Sequence, residues 1–205
     1  MKVTAQVKQR TKERIVAAAR KLFVEKSFAR TTTRDLASAA QIAAGTLFNY
    51  FPTKEALAFL LFAEAQRLAQ TDYDRLRRGD EALVEDLFLW LACTLRRLEP
   101  YRAFVGQVVE TALSPGSRQS AVEEAESFRL GHMRRVGELL ALRDCDATAS
   151  FVATHLYWTL FVGLLAFWSR DESPGQEDTL VLGDRSIRLF AASQNSNSAA
   201  MGGQR

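Results

Sequence analysis

The 205-residue chain is poor in the residues that fix irregular or extracellular folds. Four prolines and eleven glycines are too few for a β-sandwich or a long unstructured chain. Its two cysteines, Cys93 and Cys145, have no metal-type spacing and suit a reducing compartment better than a disulfide scaffold. Its two histidines, His132 and His155, fall on different predicted helices. No Ser-His-Asp constellation, phosphate-cradling Gly loop or metal spacing accompanies them. These gaps argue against an enzyme, and neither cofactor nor metal is expected. A lone His on an apolar face is more often a core or pocket residue than a ligand. The N-terminus, MKVTAQVKQRTKER, lacks an apolar core and does not read as a secretory signal.

Apolar residues in helical periodicity are abundant. At 47% hydrophobic the chain can bury a substantial core, and its periods predict an all-α fold of about nine helices. Positive charge is gathered at one end. Residues 1–54 carry 11 Lys or Arg and 3 Asp or Glu, a net of +8, whereas residues 55–205 carry 16 and 21, a net of −5. A basic head on a mildly acidic body fits polyanion binding at one end, although a solvated charged helix would give the same count.

Helix one is expected over Lys8–Lys26, then two short helices at Thr33–Ala40 and Ala44–Phe51. Longer helices are expected over Lys54–Arg78, Glu81–Leu98, Tyr101–Leu113, Arg118–Leu142, Ala147–Ser169 and Gln176–Ala192. Leu57, Leu60, Leu61, Glu64 and Leu68 mark the inner face of the fourth, and its end, TDYDRLRRGD, reads as surface. The eighth has no charged residue between Ser150 and Ser169. Its length alone admits a membrane span of ~20 residues, but Thr154, His155 and Thr159 interrupt it and no cationic cluster flanks it. Burial, in the chain or against a partner subunit, is the expectation. Gly183 weakens the middle of the ninth. The tail, residues 194–205, is low in complexity and expected to be disordered.

The most informative stretch is TTTRDLASAAQIAAGTLFNYFPTK, residues 31–54. Thr32 and Asp35 have capping-box spacing. Ile42 plugs the turn Gln41-Ile42-Ala43. Pro52 stops the second short helix, and Thr53 caps the fourth helix. Leu36, Ala37, Ala40, Leu47 and Phe51 mark an inner face. Small and polar residues are left outside, as in a helix-turn-helix whose second helix enters the DNA major groove.

Phe28 to Leu57, FARTTTRDLASAAQIAAGTLFNYFPTKEAL, resembles the DNA-binding signature of TetR-type bacterial transcriptional regulators, most specifically at GTLFNYFPTKEAL. The resemblance implies a helix-turn-helix domain over 1–52 and a ligand-binding and dimerisation domain over 53–193. It further implies a cytoplasmic, homodimeric, ligand-responsive repressor that binds double-stranded DNA at a palindromic operator and needs no membrane. A DNA-binding regulator or nucleoid-associated protein without a small-molecule effector remains the alternative. The implied DNA contacts are Thr33, Arg34, Ala44, Gly45, Thr46, Phe48, Asn49, Tyr50 and Lys54. Of these, Asn49 is suited to adenine and Thr33, Tyr50 and Lys54 to phosphates. Candidates for the effector pocket are Trp90, Phe104, Gln107, Glu110, Phe128, His132, Tyr157 and Phe161. Their aromatic excess suggests an apolar or aromatic effector. Candidates for the dimer interface are Trp158, Gly163, Phe167, Ile187 and Phe190. Three departures from the family pattern stand out: Gln41 replaces a turn glycine, Ala43 a capping Ser or Thr, and Phe48 a tyrosine.

Overall fold

A computed structural model describes residues 5–113, 122–142 and 147–202, with side chains placed over 5–109, 123–142 and 151–194. The expected loop at Ser114–Gly116, the start of helix seven, the break at 143–146 with Cys145, and the Glu110 side chain lie outside the described residues. The described residues form nine α-helices: α1 Ala5–Leu22, α2 Thr33–Ala39, α3 Ala44–Phe48, α4 Lys54–Leu76, α5 Leu83–Leu98, α6 Arg102–Leu113, α7 Val122–Ala141, α8 Ala147–Trp168 and α9 Glu177–Gly202. The all-α expectation holds.

The chain divides into two compact units: Met1–Glu64 with Pro100–Phe128, and Ala65–Glu99 with Arg129–Arg205. In the first, α1 packs on α2, and α2 on α3. Buried aromatic rings fill its centre. Phe62 lies 5.9 Å from both Phe104 and Phe128, and Phe59 meets Phe62 edge-on at 5.7 Å. The start of α4 is capped as expected, the Ala56 N–H donating to the Thr53 hydroxyl at 3.1 Å. Arg20 on α1 pairs with Glu64 on α4.

In the second unit α9 packs against α5 and α8. Gly183 is buried there, and a methyl group on it would lie 2.9 Å from Leu91 Cδ2. The glycine that weakens the helix on propensity is what permits this close approach. Asp171 fixes the α8–α9 turn by accepting from the Ser173 and Thr179 backbone N–H groups, both at 2.9 Å.

Several expectations need correction. Leu68 is exposed, so the inner face of α4 runs instead through Leu57, Leu61, Phe62, Ala65, Ala69 and Tyr73. The stretch read as surface, TDYDRLRRGD, contains buried Asp72 and Tyr73. Asp72 accepts from Arg97 Nε at 2.6 Å and Nη2 at 2.9 Å. The Arg77 guanidinium clamps Asp86, at 2.9 and 3.1 Å, and the Tyr73 hydroxyl donates to the same carboxylate. Charge in sequence read as solvation, when these charges are paired. Finally, α9 runs to Gly202. No proline interrupts this segment, and extending a formed helix is easier than nucleating one.

Helix α8 is long and apolar enough, by length and composition alone, to cross a membrane over Phe151–Trp168. One side of it, Ala153, Tyr157, Phe161, Leu164, Leu165 and Trp168, is buried in the chain. The other exposes Val152, Leu156, Gly163 and Phe167 at helical spacing, so the expected burial is completed only in part by the chain itself.

Candidate nucleic-acid interface

The helix-turn-helix is built from its caps inward. Thr32 and Asp35 form the expected capping box, with Asp35 N–H donating to Thr32 Oγ1 at 3.2 Å and Thr32 N–H to Asp35 Oδ2 at 2.8 Å. Lys26 Nζ adds an ion pair to the same oxygen at 2.6 Å. Lys26 first, and then the Thr32 backbone, hold the Asp35 carboxyl well below the usual carboxylate range. The cap is therefore intact at neutral pH and weakens only in strong acid.

The turn between α2 and α3 places Gln41 at φ +54°, the left-handed conformation that glycine adopts freely, at a cost of about 1–2 kcal/mol for other residues. Ala43 precedes α3 without a side-chain cap. Helix α3 ends at Phe48 rather than Phe51. Pro52 disfavours the helical conformation at the residue before it, and residues 49–51 close a tight turn with N–H bonds back to Thr46 and Leu47.

Leu36, Ala37, Ala40, Leu47 and Phe51 are buried, as the spacing predicts. Arg34, Ala44, Gly45, Phe48 and Asn49 are exposed, and Thr33, Thr46 and Tyr50 are half-buried. Phe48 is 51% exposed, a large apolar surface facing out beside Gly45 and Asn49. A Cβ added to Gly45 would meet nothing within 4 Å. Internal packing does not demand the glycine, which leaves room for something outside to approach.

Lys54 sits differently from the expected phosphate clamp. Its Nζ donates to the carbonyls of Phe28 at 2.8 Å and Thr31 at 3.4 Å and lies 4.4 Å from the centroid of the Phe28 ring. Turned inward, the ammonium braces the entry to α2.

The effector candidates separate between the two units. Phe104 and Phe128 are buried in the ring cluster of the first, and Gln107 is exposed there. Trp90, His132, Tyr157 and Phe161 come together in the second. The His132 ring lies 3.7 Å from Phe161, 5.3 Å from Trp90 and 5.8 Å from Tyr157. Trp90 Nε1 and the Tyr157 hydroxyl are buried without a hydrogen-bond partner among the described residues. Burial pushes His132 down to about 3. The unfolded chain takes up this proton near pH ~6.5, the folded chain only near 3. The stability carried by the neutral ring is therefore complete above ~6.5 and is lost as pH falls towards 3. Denaturant titrations at about pH 7 and about pH 5 should show wild type losing about 2 kcal/mol more than a His132→Phe variant. Equal losses would place the acid sensitivity elsewhere.

Among the interface candidates, Gly163 and Phe167 are exposed and Trp158 is half-buried. Ile187 and Phe190 are buried in the chain itself, Phe190 edge-on to Tyr157 at 5.4 Å. Among the described side chains of α9, the large apolar ones that are exposed are Leu180, Val181, Leu182 and Leu189.

Comparison with known proteins decides the family. Residues 15–61 match the model of bacterial regulatory proteins of the tetR family, and residues 87–198, over half the chain, match that of the tetracyclin repressor-like C-terminal domain. The chain belongs to the TetR family. It is a TetR-family transcriptional regulator with a DNA-binding helix-turn-helix. No curated protein matches it in sequence. Solved TetR-family structures share its fold. FadR of Thermus thermophilus, a transcriptional repressor in complex with lauroyl-CoA, superposes with a TM-score of 0.73 at 23% identity, over 87% of this chain and 92% of its own. A TetR regulator from Rhodococcus sp. RHA1 gives 0.68 at 20% identity, over 89% and 97%. FadR of Bacillus subtilis in complex with stearoyl-CoA gives 0.58 at 16% identity, over 87% and 97%.

Proposed function

We propose that this TetR-family regulator is a cytoplasmic homodimer that represses from a palindromic operator and is released by a small apolar effector. The observation that carries the reading is the outward face of α2 and α3. Arg34, Gly45, Thr46, Phe48 and Asn49 are presented over a buried Leu36-Leu47-Phe51 floor, at the end of the chain that holds its positive excess.

On this reading Asn49 pairs with an adenine edge, Arg34 reaches a guanine and Phe48 meets a thymine methyl. Ala44 and Gly45 let the backbone approach. Thr33, Thr46 and Tyr50 hold phosphates, which set orientation without carrying sequence. The second copy needed for a palindrome docks on the exposed stripe of α8 with Val181 and Leu189 of α9, placing two reading helices a DNA turn, or a multiple of one, apart. Two fold relatives are in complex with acyl-CoA compounds, so acyl thioesters are the first effectors to test. The aromatic group around His132 offers the apolar surroundings that the acyl chain of such a compound needs. Release is a population shift, which requires the effector to favour the DNA-incompetent state.

Asn49→Ala should weaken binding to the preferred duplex by about 5- to 150-fold, the equivalent of ~1–3 kcal/mol, and leave binding to random duplex unchanged. Equal losses on both, read by fluorescence anisotropy, would remove Asn49 from base reading.

A further inference from the structure

We propose that Phe104, on α6, is a positioning residue for DNA reading that acts on the helix-turn-helix through Phe28. The proposal rests on the DNA-binding reading above and assigns Phe104 a role other than lining an effector pocket.

Phe28 lies in the short connection between α1 and α2, just ahead of the capping box at Thr32. Its ring stacks on that of Phe104, with centroids 5.0 Å apart and planes 11° from parallel. Phe23 meets both rings edge-on, at 5.0 and 5.7 Å. Phe28 and Phe104 are both buried. The Phe28 backbone is held as well, because its carbonyl accepts from Lys54 Nζ while that ammonium stands over its ring. One residue is thus fixed by two other elements, its ring by α6 and its carbonyl by the start of α4.

The connection around Phe28 has little slack. Ser27 is in the left-handed region at φ +72°. The Thr31 hydroxyl is anchored to the carbonyls of Leu22 and Ser27, at 3.1 and 2.7 Å. Helix α2 starts two residues after Thr31, and the turn to α3 is tied to α2 by the Ile42 N–H on the Ala37 carbonyl at 3.0 Å. A shift of Phe28 therefore passes to the α2 entry and on to the outward face of α3. Base-edge hydrogen bonds weaken steeply with distance and angle, whereas phosphate attraction falls off slowly. Misplacing the head should cost sequence reading before it costs general DNA affinity.

The test uses the full-length protein and the duplex that wild type selects from random DNA, beside a scrambled duplex. Phe104→Leu keeps an apolar side chain and removes the ring. Its affinity for the selected duplex should fall about tenfold, with less than about a twofold change on scrambled duplex and an unchanged salt slope there. Phe28→Leu should do the same, and the double variant should lose no more than the worse single, because the two rings act as one pair. Unchanged affinity for the selected duplex, equal losses on both duplexes, or additive losses in the double variant would overturn the proposal. If Phe104→Leu does not fold, the ratio between the two duplexes for Phe28→Leu decides alone. A wild type that selects no sequence would sink the DNA-binding reading and the proposal with it. A wild type that selects, beside an indifferent Phe104→Leu, would sink the proposal alone.

Discussion

Replacing Arg77 with methionine should cost about 3–5 kcal/mol of folding stability, the typical cost of stripping the partner from a buried charge. Asp86 is fully buried on α5, and its two carboxylate oxygens receive the two arms of the Arg77 guanidinium. Without that fork the carboxylate loses both guanidinium contacts and keeps the Tyr73 hydroxyl. Burial, and then Asp86 itself, push the Tyr73 phenol above its ordinary value, so it remains a donor across the accessible pH range. Arg77→Lys should recover only part of the loss, because an ammonium cannot reproduce the planar two-point contact. Replacing both charged partners, in Arg77→Met with Asp86→Leu, should be milder than Arg77→Met alone, since the fully buried carboxylate is then removed with its partner. Urea unfolding followed by circular dichroism reads all three. A wild-type midpoint for Arg77→Met would show that the clamp contributes nothing.

The second large effect is expected at the exposed stripe of α8. Leu156 is 52% exposed and neighbours Val152 and Gly163 on one face of the helix. A glutamate there faces water in the monomer and is accommodated without loss of fold. In a two-fold interface it would be buried without a partner in both subunits, at a cost of about 3–5 kcal/mol, or roughly 150- to 5,000-fold in the dimer dissociation constant. On the proposed dimer, Leu156→Glu should therefore sediment as a monomer where the wild type sediments as two copies, with an unchanged helical spectrum. Operator affinity should fall with it, because each half-site then binds alone. A dimeric Leu156→Glu protein would move the interface off this stripe.

How much was legible in the sequence depends on the range of the interactions involved. The capping box at Thr32 and Asp35, the turn at Gln41, the uncapped start at Ala43 and the buried pair Leu47 and Phe51 are all local, and each could be read from spacing over a few residues. The sides of α4 and α9 could not. Leu68 fits a helical repeat as well as Ala69 does, and Ile187 and Phe190 fit an outward stripe as well as Leu189 does. Which side is covered depends on helices distant in the chain. The pairing of Asp72 with Arg97 spans 25 residues, and nothing in TDYDRLRRGD marks its partner. Lys54 shows the same limit in the candidate site. Its position in the motif suggests a phosphate contact, whereas its carbonyl partners, Phe28 and Thr31, lie 26 and 23 residues earlier.

On the proposed reading, two copies of the face built from α2 and α3 read one DNA address together. Selection of bound duplexes from a random pool by the purified full-length protein tests this most directly. The predicted result is a two-fold symmetric motif whose half-sites are centred about one helical turn, or a multiple of one, apart, with salt-sensitive affinity. A single unsymmetrical half-site, or no enriched sequence at all, would contradict it.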